Sequence, residues 1–148
     1  MEMRNAEIND FHTIMSWIKD ENECRNWAGN KVRFPLDIDD LLNDIQYSKD
    51  NSYCLIHENK ISGFGQLFPK EDGFIHMARI IVVPSYRGRG YGKILCSNLL
   101  RIAEQSGGQK VSLYASRSNL ISMTLYKKAG FNEVVEKSSG DRCYMLKT

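Results

Sequence analysis

The chain has 148 residues, 42% of them apolar and 26% charged, which is near the commonest size for one domain and ordinary for a globular protein. Its net charge of +2, spread over mixed acids and bases, argues against a protein whose main partner is nucleic acid. No stretch has the length and apolar character needed to cross a membrane. Residues 1–20 lack a continuous apolar run and a small-residue cleavage site, so a signal peptide is not expected. The four cysteines, Cys24, Cys54, Cys96 and Cys143, are widely spaced with no Cys-x-x-Cys pair. They read as free, mostly buried thiols in a reducing, cytoplasmic setting, not as a zinc site, and no metal is expected.

In chain order, residues 1–6 predict a short strand. Asn9 or Asp10 caps a helix to about Lys19, with Phe11, Ile14, Met15 and Ile18 on one face. Residues 21–35 read as irregular. Asp37 or Asp39 caps a second helix through Leu41, Leu42 and Ile45. Three strands follow, at 52–57, 61–68 and 74–83, and their short turns favour antiparallel pairing. Pro84 ends the third. A glycine-rich turn leads into a helix from Tyr91 whose apolar positions 91, 95, 99 and 102 share a face, and Gly107-Gly108 stops it. A strand at 110–115, a helix opened by Ser118 or Asn119 and closed by Gly130, and a hairpin of strands at 132–137 and 142–146 complete the chain. The order β-αα-βββ-α-β-α-ββ predicts one mixed α/β domain over 1–148, built around a single sheet.

The turn after the third strand reads Arg87-Gly88-Arg89-Gly90-Tyr91-Gly92-Lys93. Each helical glycine costs about 1 kcal/mol relative to alanine. A chain accepts that cost where φ is positive or where something must approach the backbone closely. A helix start offers unpaired N–H groups and a positive dipole, so with Arg87, Arg89 and Lys93 the segment reads as a phosphate cradle. It is not a nucleotide P-loop, because Ile94 follows Lys93 and Arg87 stands where the first glycine belongs. It is not the dinucleotide fingerprint either, because the glycines step by two. The plain alternative is a flexible turn.

This segment resembles the Arg/Gln-x-x-Gly-x-Gly/Ala signature of the GCN5-related N-acetyltransferase (GNAT) superfamily. A second segment, Asn119 to Phe131, resembles that family's Asn…Leu-Tyr-x-Lys-x-Gly-Phe block. The resemblance covers residues 73–146. It implies an acyl-CoA N-acyltransferase fold, acetyl-CoA as co-substrate and an amine acceptor. The loop would bind the pyrophosphate. The strand of Ile80, Ile81, Val82 and Val83 would splay from its neighbour and pair with the pantetheine arm. Asn119 would contact that arm, and Tyr126 would lie beside the sulfur. Seven residues apart, Asn119 and Tyr126 fall on one helix face. From the residues alone, Asn119 also suits a helix cap and Tyr126 a core position.

The chemistry needs an acid for the leaving thiolate, and the phenol of Tyr126 fits. Backbone N–H groups near Ile81 or Val82 would stabilise the oxyanion. No carboxylate lies in 111–118, where some relatives carry a glutamate base. His76 is the titratable candidate on the third strand, or an exposed histidine. Trp27 and Phe34 would wall an acceptor site or belong to the core. Arg79 would meet an acidic acceptor or a surface carboxylate, and Tyr114 occupies the position of the absent glutamate. The alternative reading is a coenzyme-A-binding regulatory module without catalysis, which the presence of Tyr126 disfavours. The sequence leaves room for a homodimer.

Overall fold

The computed structural model describes residues 1–148. Seven strands and five helices follow one another. They are β1 (Glu2–Asn5), α1 (Asp10–Ser16), α2 (Glu21–Ala28), α3 (Ile38–Asp44), β2 (Ser52–His57), β3 (Lys60–Pro69), β4 (Phe74–Val82), α4 (Tyr91–Gln105), β5 (Lys110–Ser116), α5 (Leu120–Lys128), β6 (Asn132–Glu133) and β7 (Arg142–Lys147). Short 3₁₀ turns lie at Pro84–Tyr86 and Val135–Lys137. The strands form one mixed sheet in the order β1-β2-β3-β4-β5-β7-β6. β1–β2, β2–β3 and β5–β7 pair antiparallel, and β4–β5 is parallel, as a helical crossover through α4 requires. The mixed α/β architecture expected from the sequence is the one observed. No helix is long and apolar enough to cross a membrane.

Three local expectations need correction. Residues 21–28 are helical, not irregular, so three helices separate β1 from β2. Asp20 caps α2 by accepting from the Glu23 N–H at 2.8 Å, Glu21 and Arg25 pair four residues apart, and Gly29 ends it at φ 62°. The buried side is narrow, Cys24 and Ala28, which is why the apolar period was faint. At α1, Asn9 makes no side-chain cap, and the helix ends at Ser16 rather than Lys19. The Asp10 carboxylate instead accepts from the Glu7 N–H at 2.8 Å and pairs with Arg4 at 2.7 Å. The last hairpin is shorter than predicted. β6 stops at Glu133 because Ser138 takes over the pairing, its hydroxyl donating to the Val134 carbonyl and accepting from the Tyr144 N–H, each at 3.0 Å.

The chain divides into two compact units. The first comprises residues 1–66 and 79–95. Its core joins Phe11, Ile14, Leu41, Ile45, Cys54, Phe64 and Ile81, with Trp27, Phe34 and Val83 packed against it. Phe11 meets Phe64 edge-on at 5.3 Å and Tyr47 at 5.2 Å, geometry that aromatic pairs favour. The second unit comprises 67–78 and 96–148. Met77, Leu99, Ala103, Leu113, Phe131, Cys143 and Met145 are all but inaccessible there. All four cysteines are free and buried, and burial holds the Cys54 and Cys96 thiols near 12 and 11. They are inert as nucleophiles at neutral pH.

In the second unit Arg117 grips Glu133 with two hydrogen bonds, 2.8 and 2.7 Å. That fork holds the Glu133 carboxyl down at about 2, against an ordinary 4.5. A depressed carboxyl contributes stability above its unfolded value and loses it as the folded value is approached. Melting temperature should therefore fall between about pH 4.5 and pH 2, and Glu133→Gln should flatten that limb in a circular-dichroism pH series. An identical acid limb in the variant would show that the fork contributes nothing.

Candidate active site

Pro84 starts the 3₁₀ turn that ends β4, since proline cannot extend a ladder but suits a helical first position. Tyr86 and Arg87 then donate to the carbonyls of Val83 and Pro84. Gly88 and Gly90 take φ of 79° and 86°, a region costly for any residue with a Cβ. The first helical bond of α4 runs from the Ile94 N–H to the Gly90 carbonyl at 3.2 Å. None of the amides of residues 88–93 makes a main-chain hydrogen bond of good geometry within the chain. A Cβ placed on Gly88 or Gly90 would meet nothing within 4 Å, so the space beside these two glycines is open. Such weakly engaged donors at a helix start, beside exposed Arg89 and Lys93, fit a diphosphate.

Two tyrosines close this loop at its base. Tyr86 and Tyr91 stack with centroids 4.6 Å apart and planes 22° from parallel. His57, at the end of β2, meets both edge-on, at 5.9 and 5.4 Å. The Arg89 guanidinium lies 5.9 Å from the Tyr86 centroid. Arg87 turns back along the chain, its Nε donating to the Val82 carbonyl at 3.1 Å.

The strand leading to the loop changes direction partway. β4 and β5 pair only at Phe74–Lys110, Ile75–Val111 and His76–Ser112. No rung joins the rest of β4, which runs on to Val82, to the rest of β5. Beyond the last rung, Arg79 adopts φ 53°, a left-handed conformation that costs about 1 kcal/mol or more for a residue with a Cβ. The indole N–H of Trp27 donates to the Arg79 carbonyl at 2.8 Å. The guanidinium points inward, its Nε donating to Gln66 Oε1 and Nη2 to the Ile45 carbonyl at 3.3 Å. Gln66 is fully buried and donates to the Ser52 hydroxyl at 3.0 Å and the Ile45 carbonyl at 3.1 Å. Four residues on, the Val83 N–H reaches the Ser62 carbonyl at 2.9 Å.

In the second unit, Asn119 caps α5, its Oδ1 accepting from the Ser122 N–H at 3.2 Å. The loop before it is anchored by the Arg117–Glu133 fork and by Asp141, which accepts from the Ser118 N–H at 2.8 Å. Two turns along, Tyr126 is 7% exposed and edge-on to Phe131 at 6.0 Å. Burial, and after it Cys96, pushes the phenol well above its ordinary 10, so it is protonated at any physiological pH. On β4 and β5, His76 Nδ1 and the Ser112 hydroxyl are 2.8 Å apart, and the His76 ring meets Tyr114 edge-on at 5.6 Å. Tyr114 is 43% exposed, with the Arg142 guanidinium 3.9 Å over its ring and Tyr144 at 5.1 Å.

Within the first unit, then, the structure gathers Ile80–Val83, the 87–93 loop, Trp27 and Arg79. Phe34 is partly buried against the apolar core there. Within the second it pairs His76 with Tyr114 and sets Asn119 and Tyr126 on one helix. Sequence reasoning did not find Gln66, Tyr86 or His57. One signal was present: alternate positions 75, 77, 79 and 81 read Ile, Met, Arg, Ile, so a charged residue stands in an inward-facing series. No group of three or more His, Cys, Asp or Glu side chains is arranged to hold a metal ion.

Comparison with known proteins bears on the family and the fold. A ribosomal protein bS18 alanine N-acetyltransferase of Haemophilus influenzae is 37% identical over 82 residues, 54% of this chain and 53% of the relative. A glucosamine 6-phosphate N-acetyltransferase of Trypanosoma brucei brucei is 41% identical over 56 residues, 38% of this chain and 36% of the relative. The chain thus spans about half the length, or less, of these curated relatives. The PaiA N-acetyltransferase of Thermoplasma acidophilum, solved in complex with coenzyme A, superposes with a TM-score of 0.78 at 22% identity, covering 99% of this chain and 98% of that one. The ribosomal-protein-alanine N-acetyltransferase of Brucella melitensis gives 0.75 at 16% identity, covering 99% of each. At such identities these two speak for the fold alone. The profile of the acetyltransferase (GNAT) family matches residues 11–131, and the chain belongs to that family.

Proposed function

We propose that this protein is an N-acetyltransferase that moves acetyl from acetyl-CoA to a primary amine by direct attack in a ternary complex. The observation that carries the reading is the run of amides at residues 88–93 without a well-formed main-chain hydrogen bond, in an exposed turn at the start of α4. Such donors suit the pyrophosphate of coenzyme A, with Arg87, Arg89 and Lys93 adding charge. The main chain of Ile80–Val83 is freed from β5 past His76, which suits pairing with the pantetheine arm as an added strand would.

Acetyl-CoA supplies a thioester whose carbonyl carbon the neutral amine attacks and whose thiol departs. The chain's own groups have three tasks. The amides near Ile81 or Val82 stabilise charge on the carbonyl oxygen. Tyr126 holds a proton for the leaving sulfur and does not ionise at rest, because burial disfavours its phenolate. Asn119 offers its remaining amide hydrogens to the pantetheine arm while its oxygen caps α5. His76 is the titratable side chain we assign to removing the amine's proton, with Phe34 and Tyr114 on the acceptor side, while Trp27 and Arg79 bond to each other and not toward an acceptor. The reading as a non-catalytic coenzyme-A module is not favoured, since the chain belongs to the acetyltransferase family and carries a protonated phenol at Tyr126 that could serve as the acid.

Acetyl-CoA at about a hundred times its Kd should stabilise the protein by about 2.7 kcal/mol, and so raise Tm by on the order of 5–10 °C. An unchanged melt would remove the co-substrate from the reading. Tyr126→Phe should lower kcat about a hundredfold with acetyl-CoA affinity and Tm nearly unchanged. No hydrogen bond contributes to the state of its phenol, so little structure is lost. Wild-type turnover by that variant, read by thiol release with a good acceptor, would remove the acid role. Gly90→Val should cut acetyl-CoA affinity at least tenfold by calorimetry while far-UV dichroism stays native. A branched side chain both resists φ 86° and covers the amides. Normal affinity would mean the diphosphate binds elsewhere.

A further inference from the structure

We propose that Arg79 is a positioning residue, clamped by Trp27 and Gln66 so that the main-chain amides of Ile80 and Val82, turned away from β3, face the carbonyl oxygen of the acetyl group; this rests on the acetyltransferase reading above. Four observations within one compact unit carry it. First, Arg79 is the one residue of β4 with positive φ, and it lies just past the last β4–β5 rung. A left-handed residue inside a strand re-aims everything after it, and such breaks concentrate beside functional sites. Second, the kink is held at both ends of the residue. The Trp27 indole takes its carbonyl, and Gln66 with the Ile45 carbonyl takes its guanidinium. Third, the anchor is itself rigid: Gln66 is fully inaccessible and tied to Ser52 and Ile45. Fourth, the strand is pinned again at Val83, so the three residues between the clamp and that pin have little freedom.

A core built only for stability has no need of this arrangement. Positions 75, 77 and 81 of the same inward series are Ile, Met and Ile, and a fourth apolar residue with ordinary φ would continue the strand straight. A half-buried arginine held in a left-handed conformation and bonded at its carbonyl and its guanidinium makes sense if the direction of the next amides matters. Those amides act only when charge develops on oxygen, so their misplacement lowers kcat and spares ground-state binding. Trp27 and Arg79 thereby leave the acceptor side for a task behind the strand.

The test uses the full chain and four variants. Arg79→Ala removes the guanidinium and lets φ relax; Arg79→Gly removes it but tolerates φ near 53°. Trp27→Phe keeps the ring against Phe64 and deletes the indole donor. Leu41→Ala, a cavity in the same core, serves as a stability control. With acetyl-CoA affinity within about twofold of wild type, kcat should fall at least tenfold for Arg79→Ala, less for Arg79→Gly, and severalfold for Trp27→Phe. The amide resonances of residues 80–82 should shift in the Arg79 and Trp27 variants and not in Leu41→Ala, a readout that needs no turnover. If Arg79→Ala loses kcat only as much as a control of equal Tm, or if the 80–82 resonances stay put, the positioning role is overturned. If instead wild-type protein neither binds nor turns over acetyl-CoA, the acetyltransferase reading fails, and the resonance shifts still report whether the clamp sets the strand.

Discussion

A main-chain N–H without a well-formed hydrogen bond in its own chain is an incomplete group. Residues 88–93 hold six in succession. A helix must leave its first few donors unpaired, and proteins usually meet that debt with a capping side chain or water. Here no well-formed main-chain bond satisfies them, and two positive-φ glycines stand among them. The Tyr86–Tyr91 stack joins the two ends of the loop.

The strand before the loop shows the same logic. Parallel pairing of β4 with β5 ends after three rungs, and the left-handed turn at Arg79 follows within three residues. Both features remove ladder bonds and add strain, and neither adds to the core. Fold specificity is met elsewhere, by the apolar clusters in each compact unit and by the α2 and α3 caps at Asp20 and Asp37. Tyr126 is buried against Phe131, and burial disfavours its phenolate.

The family resemblance and the geometry divide the problem. Membership in the acetyltransferase family follows from the profile match over residues 11–131. The acceptor does not follow from it, because one relative acts on ribosomal protein bS18 and another on glucosamine 6-phosphate. No carboxylate lies in residues 111–118, and the ring of Tyr114 on β5 is exposed.

The sequence alone determined what depends on near neighbours. Ser52–His57 was read to the residue, the start of α4 at Tyr91 followed from its glycines, and Asn119 was legible as a cap, because periodicity, turn residues and caps act over a few positions. α2 was also written locally, in Asp20, Glu23 and Gly29, but its faint apolar face hid it. What only the tertiary structure decided was the fate of long-range polar groups. Trp27 meets Arg79 across 52 positions, and Gln66 meets Ile45 across 21. No local pattern encodes such pairings, because a buried donor takes whatever acceptor folding brings near it.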